Sequence, residues 1–150
     1  MSTQNLEILL VEDDPRDAEL TLRALRKHNI ANEVRVLPDG AQALDFLFGR
    51  GPFAAAERVR PRLILLDLKL PKVDGLEVLR AIKADAHLRT VPVVMLTSSR
   101  EERDLLESYR LGVNSYIVKP VDFEQFMESV RQVGLYWLLL NQAPDEGREG

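Results

Sequence analysis

A chain of 150 residues, 45% hydrophobic and 29% charged, has the makeup of one ordinary globular domain, long enough to bury a core unaided. It has no cysteine, which excludes disulfides, thiolate metal sites and cysteine nucleophiles. The formal net charge of −4 argues against a general binder of nucleic-acid phosphates. No apolar run approaches the ~20 residues of a membrane-spanning helix, and the N-terminal segment lacks the basic and apolar regions of a signal peptide. A soluble cytoplasmic protein, with neither nucleic acid nor membrane as a partner, is expected.

In chain order, Glu7–Val11 is a short apolar run that reads as a buried strand. Pro15 suits the first turn of a helix, with Asp14 as its N-cap. Ala18, Leu22 and Leu25 give that helix an apolar stripe to about His28. Glu33–Leu37 alternates around Val34 and Val36 as a second strand, Pro38–Gly40 is a turn, and Ala41–Phe48 a second helix. Leu63–Asp67, "LILLD", is the most apolar strand and should be central. Gly75–Ala84 is a third helix, Val91–Leu96 a fourth strand, Arg100–Leu111 a fourth helix and Ser115–Val118 a short fifth strand. The last helix spans Asp122–Leu140 and opens on a pattern, Asp122 with Gln125, that resembles a capping box.

Five alternating strand–helix units predict an α/β, doubly wound, flavodoxin-like fold: a five-stranded parallel sheet covered by five helices. The expected strand order is 2-1-3-4-5. The domain should cover residues 1–140, with a polar tail at 141–150. The connection Gly49–Pro61 exceeds the usual length, and reads either as a tolerated surface insertion or as a functional loop.

In a parallel sheet all strands end on one edge, and ligands bind there. Glu12, Asp13 and Asp14 follow the first strand, Asp67 ends the third, Thr97 and Ser98 follow the fourth, and Lys119 and Pro120 follow the fifth. Singly, each has a plain explanation: a solvated acidic loop, a helix cap for Asp14, a turn residue, a surface lysine. Jointly they suggest a site for phosphoryl chemistry. Hard carboxylate oxygens suit Mg²⁺. The ion would cancel repulsion among Glu12, Asp13 and Asp67 and admit an anion. An aspartate can form an acyl phosphate, while Thr97 and Lys119 can meet phosphoryl oxygens.

These residues carry a family resemblance. "VEDD" at 11–14, "DLKLPKVDG" at 67–75, "LTSS" at 96–99 and "YIVKP" at 116–120 resemble the receiver domain of bacterial two-component response regulators, the CheY-like superfamily, over about Leu6 to Leu140. The resemblance implies that Asp67 is the phosphoacceptor. It implies that Asp13, Asp67 and the Lys69 backbone carbonyl ligate Mg²⁺, with Glu12 acting partly through water. Thr97, with Ser98 beside it, would bind the phosphoryl group, Lys119 would pair with it, and Tyr116 would be the aromatic switch. Pro120, after a cis bond, and Asp74 with Gly75 would be structural. Glu12 stands where many receivers have aspartate, and Ser98 where alanine or glycine is common. Lys69 and Ser99 occupy variable positions that could tune dephosphorylation.

The implied protein is a single-domain regulator rather than an enzyme, phosphorylated by a partner histidine kinase and signalling through protein interactions. Two other readings compete: a pseudo-receiver that binds partners without phosphorylation, and an aspartyl phosphohydrolase. The latter lacks a second acid two residues after Asp67. Beyond the core stripe of the last helix, "LYWLLL" at Leu135–Leu140 is apolar nearly all round. With Tyr136 and Trp137 as anchors, it predicts a homodimer through the fourth helix, fifth strand and last helix. The long loop, the "DLKLPKVDG" string and this ending together resemble the narrower group of regulators partnered with bacterial phytochromes.

Overall fold

The computed structural model describes residues 6–27, 33–54, 60–98, 107, 109–113 and 115–132. Five strands are laid down in chain order: β1 (Leu6–Val11), β2 (Glu33–Leu37), β3 (Leu63–Asp67), β4 (Val93–Thr97) and β5 (Ser115–Val118). They form one parallel sheet in the order β2-β1-β3-β4-β5. Four helices pack on it among the described residues: α1 (Pro15–Lys27), α2 (Gly40–Phe48), α3 (Gly75–Ala84) and α4 (Phe123–Gln132).

The period of two in a strand divides the core. Leu9, Val11, Ile64, Leu66, Val93 and Met95 face α2 and α3, meeting Phe46, Leu47, Val78, Leu79 and Ile82. Ile8, Leu10, Leu63, Leu65, Val94 and Leu96 face the other way, toward Ala18 and Leu25 of α1 and Phe126, Met127 and Val130 of α4. All five residues of β3 are buried, as the apolar run predicts for the middle of a doubly covered sheet.

The sequence-predicted boundaries shift where local chemistry decides. β4 begins at Val93, not Val91. Val91 donates its N–H to Leu88 in a turn, and Pro92, with no N–H, contributes only a carbonyl, which accepts from Ile64 at 3.0 Å. The strand also runs one residue further, to Thr97. α2 begins at Gly40, because the Asp39 carboxylate accepts the Gln42 N–H at 2.7 Å and so occupies the N-cap. Only a hydrogen fits at Gly40: a Cβ would stand 1.9 Å from the carbonyl oxygen of Val73. The same helix ends on Gly49 in the left-handed conformation, φ 65°.

Asp14 caps α1 as expected, accepting from Arg16 at 2.8 Å and Asp17 at 3.4 Å. Asp122 caps α4 through the Gln125 N–H at 2.8 Å. The Gln125 side chain, however, donates to the Asp122 carboxylate and the Pro120 carbonyl instead of closing a capping box on the backbone. The long connection after α2 is anchored at both described ends. Gly51–Phe53 forms a short 3-10 turn that sets Phe53 edge-on to Phe46, with the Arg35 guanidinium over both rings. Arg60 reaches the His87 carbonyl and the Thr90 hydroxyl. Of the predicted fourth helix, Glu107, Tyr109 and Arg110 are helical and the rest lies outside the described residues. The same holds for His28 and for the last helix beyond Gln132, including Tyr136 and Trp137.

Candidate phosphoryl and metal site

The carboxyl ends of β1, β3, β4 and β5 deliver the site. Glu12 follows β1 and is buried, its N–H bonded to the Leu37 carbonyl of β2 at 3.0 Å. Asp67 ends β3 and is 3% exposed. Its Oδ1 accepts the Lys69 N–H at 3.3 Å, which turns the chain over the site. One oxygen from each of Glu12, Asp13 and Asp67 lies within 4.8 Å of the others, and Asp13 of the three is open to solvent. Thr97 is buried at the end of β4, and its carbonyl accepts the Lys119 N–H at 2.7 Å, locking the ends of β4 and β5 together. Ser98, next along, is exposed. The Lys119–Pro120 peptide is cis.

Gly75 sets how closely α3 approaches. A Cβ there would lie 2.3 Å from the Asp67 carbonyl oxygen and 2.7 Å from that of Leu68, whose carbonyl already accepts the Gly75 N–H at 3.2 Å. Asp74, the N-cap position of α3, contributes its backbone carbonyl to Val78 rather than a side-chain cap.

Lys119 is the centre of the charge arrangement. Its ammonium donates to Glu12 at 2.9 Å, Asp17 at 2.9 Å and Asp67 at 3.0 Å. These use all three of its protons. Burial alone would pull the Lys119 pKa down, but its bonds to Glu12, Asp17 and Asp67 outweigh burial and raise it. Glu12 goes the other way for an acid: burial, reinforced by the neighbouring Asp67 carboxylate, pushes it up to about 7 against the pull of Lys119 and the Asp14 N–H. Three carboxylates, Glu12, Asp17 and Asp67, thus surround one ammonium, and a fourth, Asp13, stands beside Glu12 and Asp67. The surplus is negative and all-oxygen, a donor set suited to a hard divalent cation.

Asp17 is the member that strand-end reasoning misses. It lies in the first turn of α1, one element beyond the acidic run, and only the path of that helix across the sheet edge brings it to Lys119. Tyr116 is half-buried on β5, where its ring meets that of the exposed Tyr109 edge-on, centroids 5.8 Å apart.

A family model described as the response regulator receiver domain matches residues 8–131. The chain belongs to this family. Among solved structures, the receiver resembles the bacteriophytochrome response regulator AtBRR, at 58% identity and a TM-score of 0.82, over 91% of this chain and 97% of that one. Response regulator Rcp1 of Synechocystis is 42% identical over 131 residues, 87% of this receiver and 88% of Rcp1. The phosphorylated cyanobacterial phytochrome response regulator RcpA is 41% identical with a TM-score of 0.72, over 93% of this chain and 97% of that one. No helix among the described residues is long and apolar enough to cross a membrane.

Proposed function

We propose that this receiver accepts a phosphoryl group on Asp67 from a sensor histidine kinase, with Mg²⁺, and signals by changing which proteins it binds. The observation that carries the reading is the Lys119 ammonium on Asp67 at 3.0 Å, beside three carboxylates, Glu12, Asp13 and Asp67, whose oxygens lie within 4.8 Å of one another. A carboxylate oxygen of Asp67 attacks phosphorus. The new O–P bond forms as the donor's P–N bond breaks, and the electron pair stays on the departing imidazole nitrogen. Glu12, Asp13 and Asp67, with the Lys69 carbonyl, would hold Mg²⁺, which supplies charge neutralisation for the incoming anion. The similarity to Rcp1, solved in a Mn²⁺-bound form, supports a divalent cation as ligand. RcpA, solved phosphorylated, supports the modification.

Lys119 orients the anion and balances its charge. Thr97, with Ser98 at the exposed lip, takes a phosphoryl oxygen, and Tyr116 responds to the movement of Thr97 on the neighbouring strand. The similarity to AtBRR favours a bacteriophytochrome-type kinase as the donor. Pro120, Asp74 and Gly75 serve the geometry and not the chemistry. The reading includes a homodimer built on Tyr136 and Trp137, for which the apolar run Leu135–Leu140 is the support.

The test is incubation with acetyl phosphate, or a purified sensor kinase and ATP, in the presence of Mg²⁺. The intact mass should rise by one phosphoryl group in the wild type and stay unchanged in Asp67→Asn. A wild-type protein that takes no phosphoryl group from either donor overturns the reading. Sedimentation that shows only monomer at high concentration, with and without beryllium fluoride, overturns the dimer.

A further inference from the structure

Lys119 has three carboxylate partners, and two of them have another task. Glu12 and Asp67 belong to the group able to hold a metal ion, whereas Asp17 does not. When Asp67 carries a phosphoryl group and Glu12 turns toward a cation, both bonds to Lys119 are lost or redirected. The bond to Asp17, at 2.9 Å, needs no rearrangement. The Asp17 backbone is itself fixed by the Asp14 cap and by its place in the first turn of α1. Its carboxylate is about one-third exposed, and the Lys119 side chain is 9% exposed, so the pair sits at the mouth of the pocket with the lysine inside.

We propose that Asp17 is a positioning residue: it holds the Lys119 ammonium over the pocket while Glu12 and Asp67 are engaged with the metal and the phosphoryl group. The inference rests on the phosphoacceptor reading above and adds to it a residue from α1 that touches neither ligand. A flexible four-carbon lysine stem directs its charge poorly unless its head is held. Asp17 supplies that hold from an element whose position is set by core packing rather than by the ligand. A plainer role exists for an acid in this turn, since it favours the positive end of the helix dipole. That role predicts an effect on stability and none on anion binding.

Affinity for beryllium fluoride at saturating Mg²⁺, measured by titration calorimetry, separates the two. Asp17→Ala should weaken binding about fivefold, a coupling in the range for residues sharing one charged network. Asp17→Asn keeps an acceptor oxygen in the same place and should recover most of that loss. In a Lys119→Ala background, Asp17→Ala should change affinity by less than about twofold, the size of ordinary non-additivity. In the beryllium fluoride complex, the Lys119 ammonium protons should exchange with water faster in Asp17→Ala than in wild type. Circular dichroism checks each fold; if alanine unfolds the protein, Asp17→Ser takes its place, being too short to reach Lys119. An Asp17→Ala effect that is absent, or that persists undiminished without Lys119, overturns the inference. A wild-type protein that binds no beryllium fluoride and gains no phosphoryl group fails earlier, at the phosphoacceptor reading.

Discussion

Two half-buried lysines at opposite ends of the molecule's strands behave in opposite ways. Lys83, near the end of α3, donates to the carbonyls of Arg89 and Val91 at 3.2 and 3.5 Å, and burial lowers its pKa. Lys119, after β5, suffers burial too, yet its pKa is raised by three carboxylates. Carbonyl dipoles satisfy the hydrogen bonds of an ammonium without restoring what it loses on leaving water. Full negative charges do both. The charge of Lys119 is therefore a property of the acids around it, and the closeness of those acids is tolerated because of Lys119.

Removing one side of that balance should have the largest effect. Lys119→Met leaves Glu12 and Asp67 buried without their cation, and should cost on the order of 3 kcal/mol in the absence of metal. Mg²⁺ should then raise the melting temperature of the variant more than that of the wild type; equal shifts would sink the account. Gly75→Ala tests the same pocket without touching charge. Its Cβ would meet the Asp67 and Leu68 carbonyls, and overpacking of this type costs about 1–3 kcal/mol. Urea titration should show the loss, with phosphorylation by acetyl phosphate slowed in parallel. Lys83→Met removes only a cap on two carbonyls, so about 1 kcal/mol is expected, with phosphorylation unaffected.

The pH dependence of Glu12 is the most diagnostic test. The folded-state pKa of Glu12 is raised from 4.5 to about 7. Between these values the metal-free native protein holds a proton that the unfolded chain has released. The Glu12 contribution to stability is thus fully present below pH 4.5 and is lost as pH rises through about 7. Melting of the metal-free wild type should fall relative to Glu12→Gln between pH 5 and pH 8, and Mg²⁺ affinity of the wild type should strengthen over the same interval. A constant gap between the two proteins would show that Glu12 is already ionised at pH 5.

The layout of the sheet was legible because it is written in short-range pattern. "LILLD" reads as the central, doubly buried strand, and β3, β5 and α3 begin and end where the apolar spacing puts them. That Glu12, Asp13, Asp67 and Lys119 meet was legible for the same reason, since parallel strands end on one edge. Asp17 was not, because its relevance depends on how α1 crosses that edge, a matter of packing between Ala18, Leu25 and the sheet. The start of β4 was misplaced because Val91 looks like strand but spends its N–H on a turn. The aromatic corner of Arg35, Phe46 and Phe53 joins three separate segments, which no local window contains.

The segment from Leu68 to Asp74 lies between two helix starts, Gly40 against Val73 and Gly75 against Asp67 and Leu68. At each point the clearance is that of one hydrogen atom. In workshop terms the two helices are a jig and this segment is the workpiece: its seat is set by stops that leave no slack. The side chains of Lys69 and Lys72 face solvent; the tolerance is held elsewhere, by two residues with no side chain to vary.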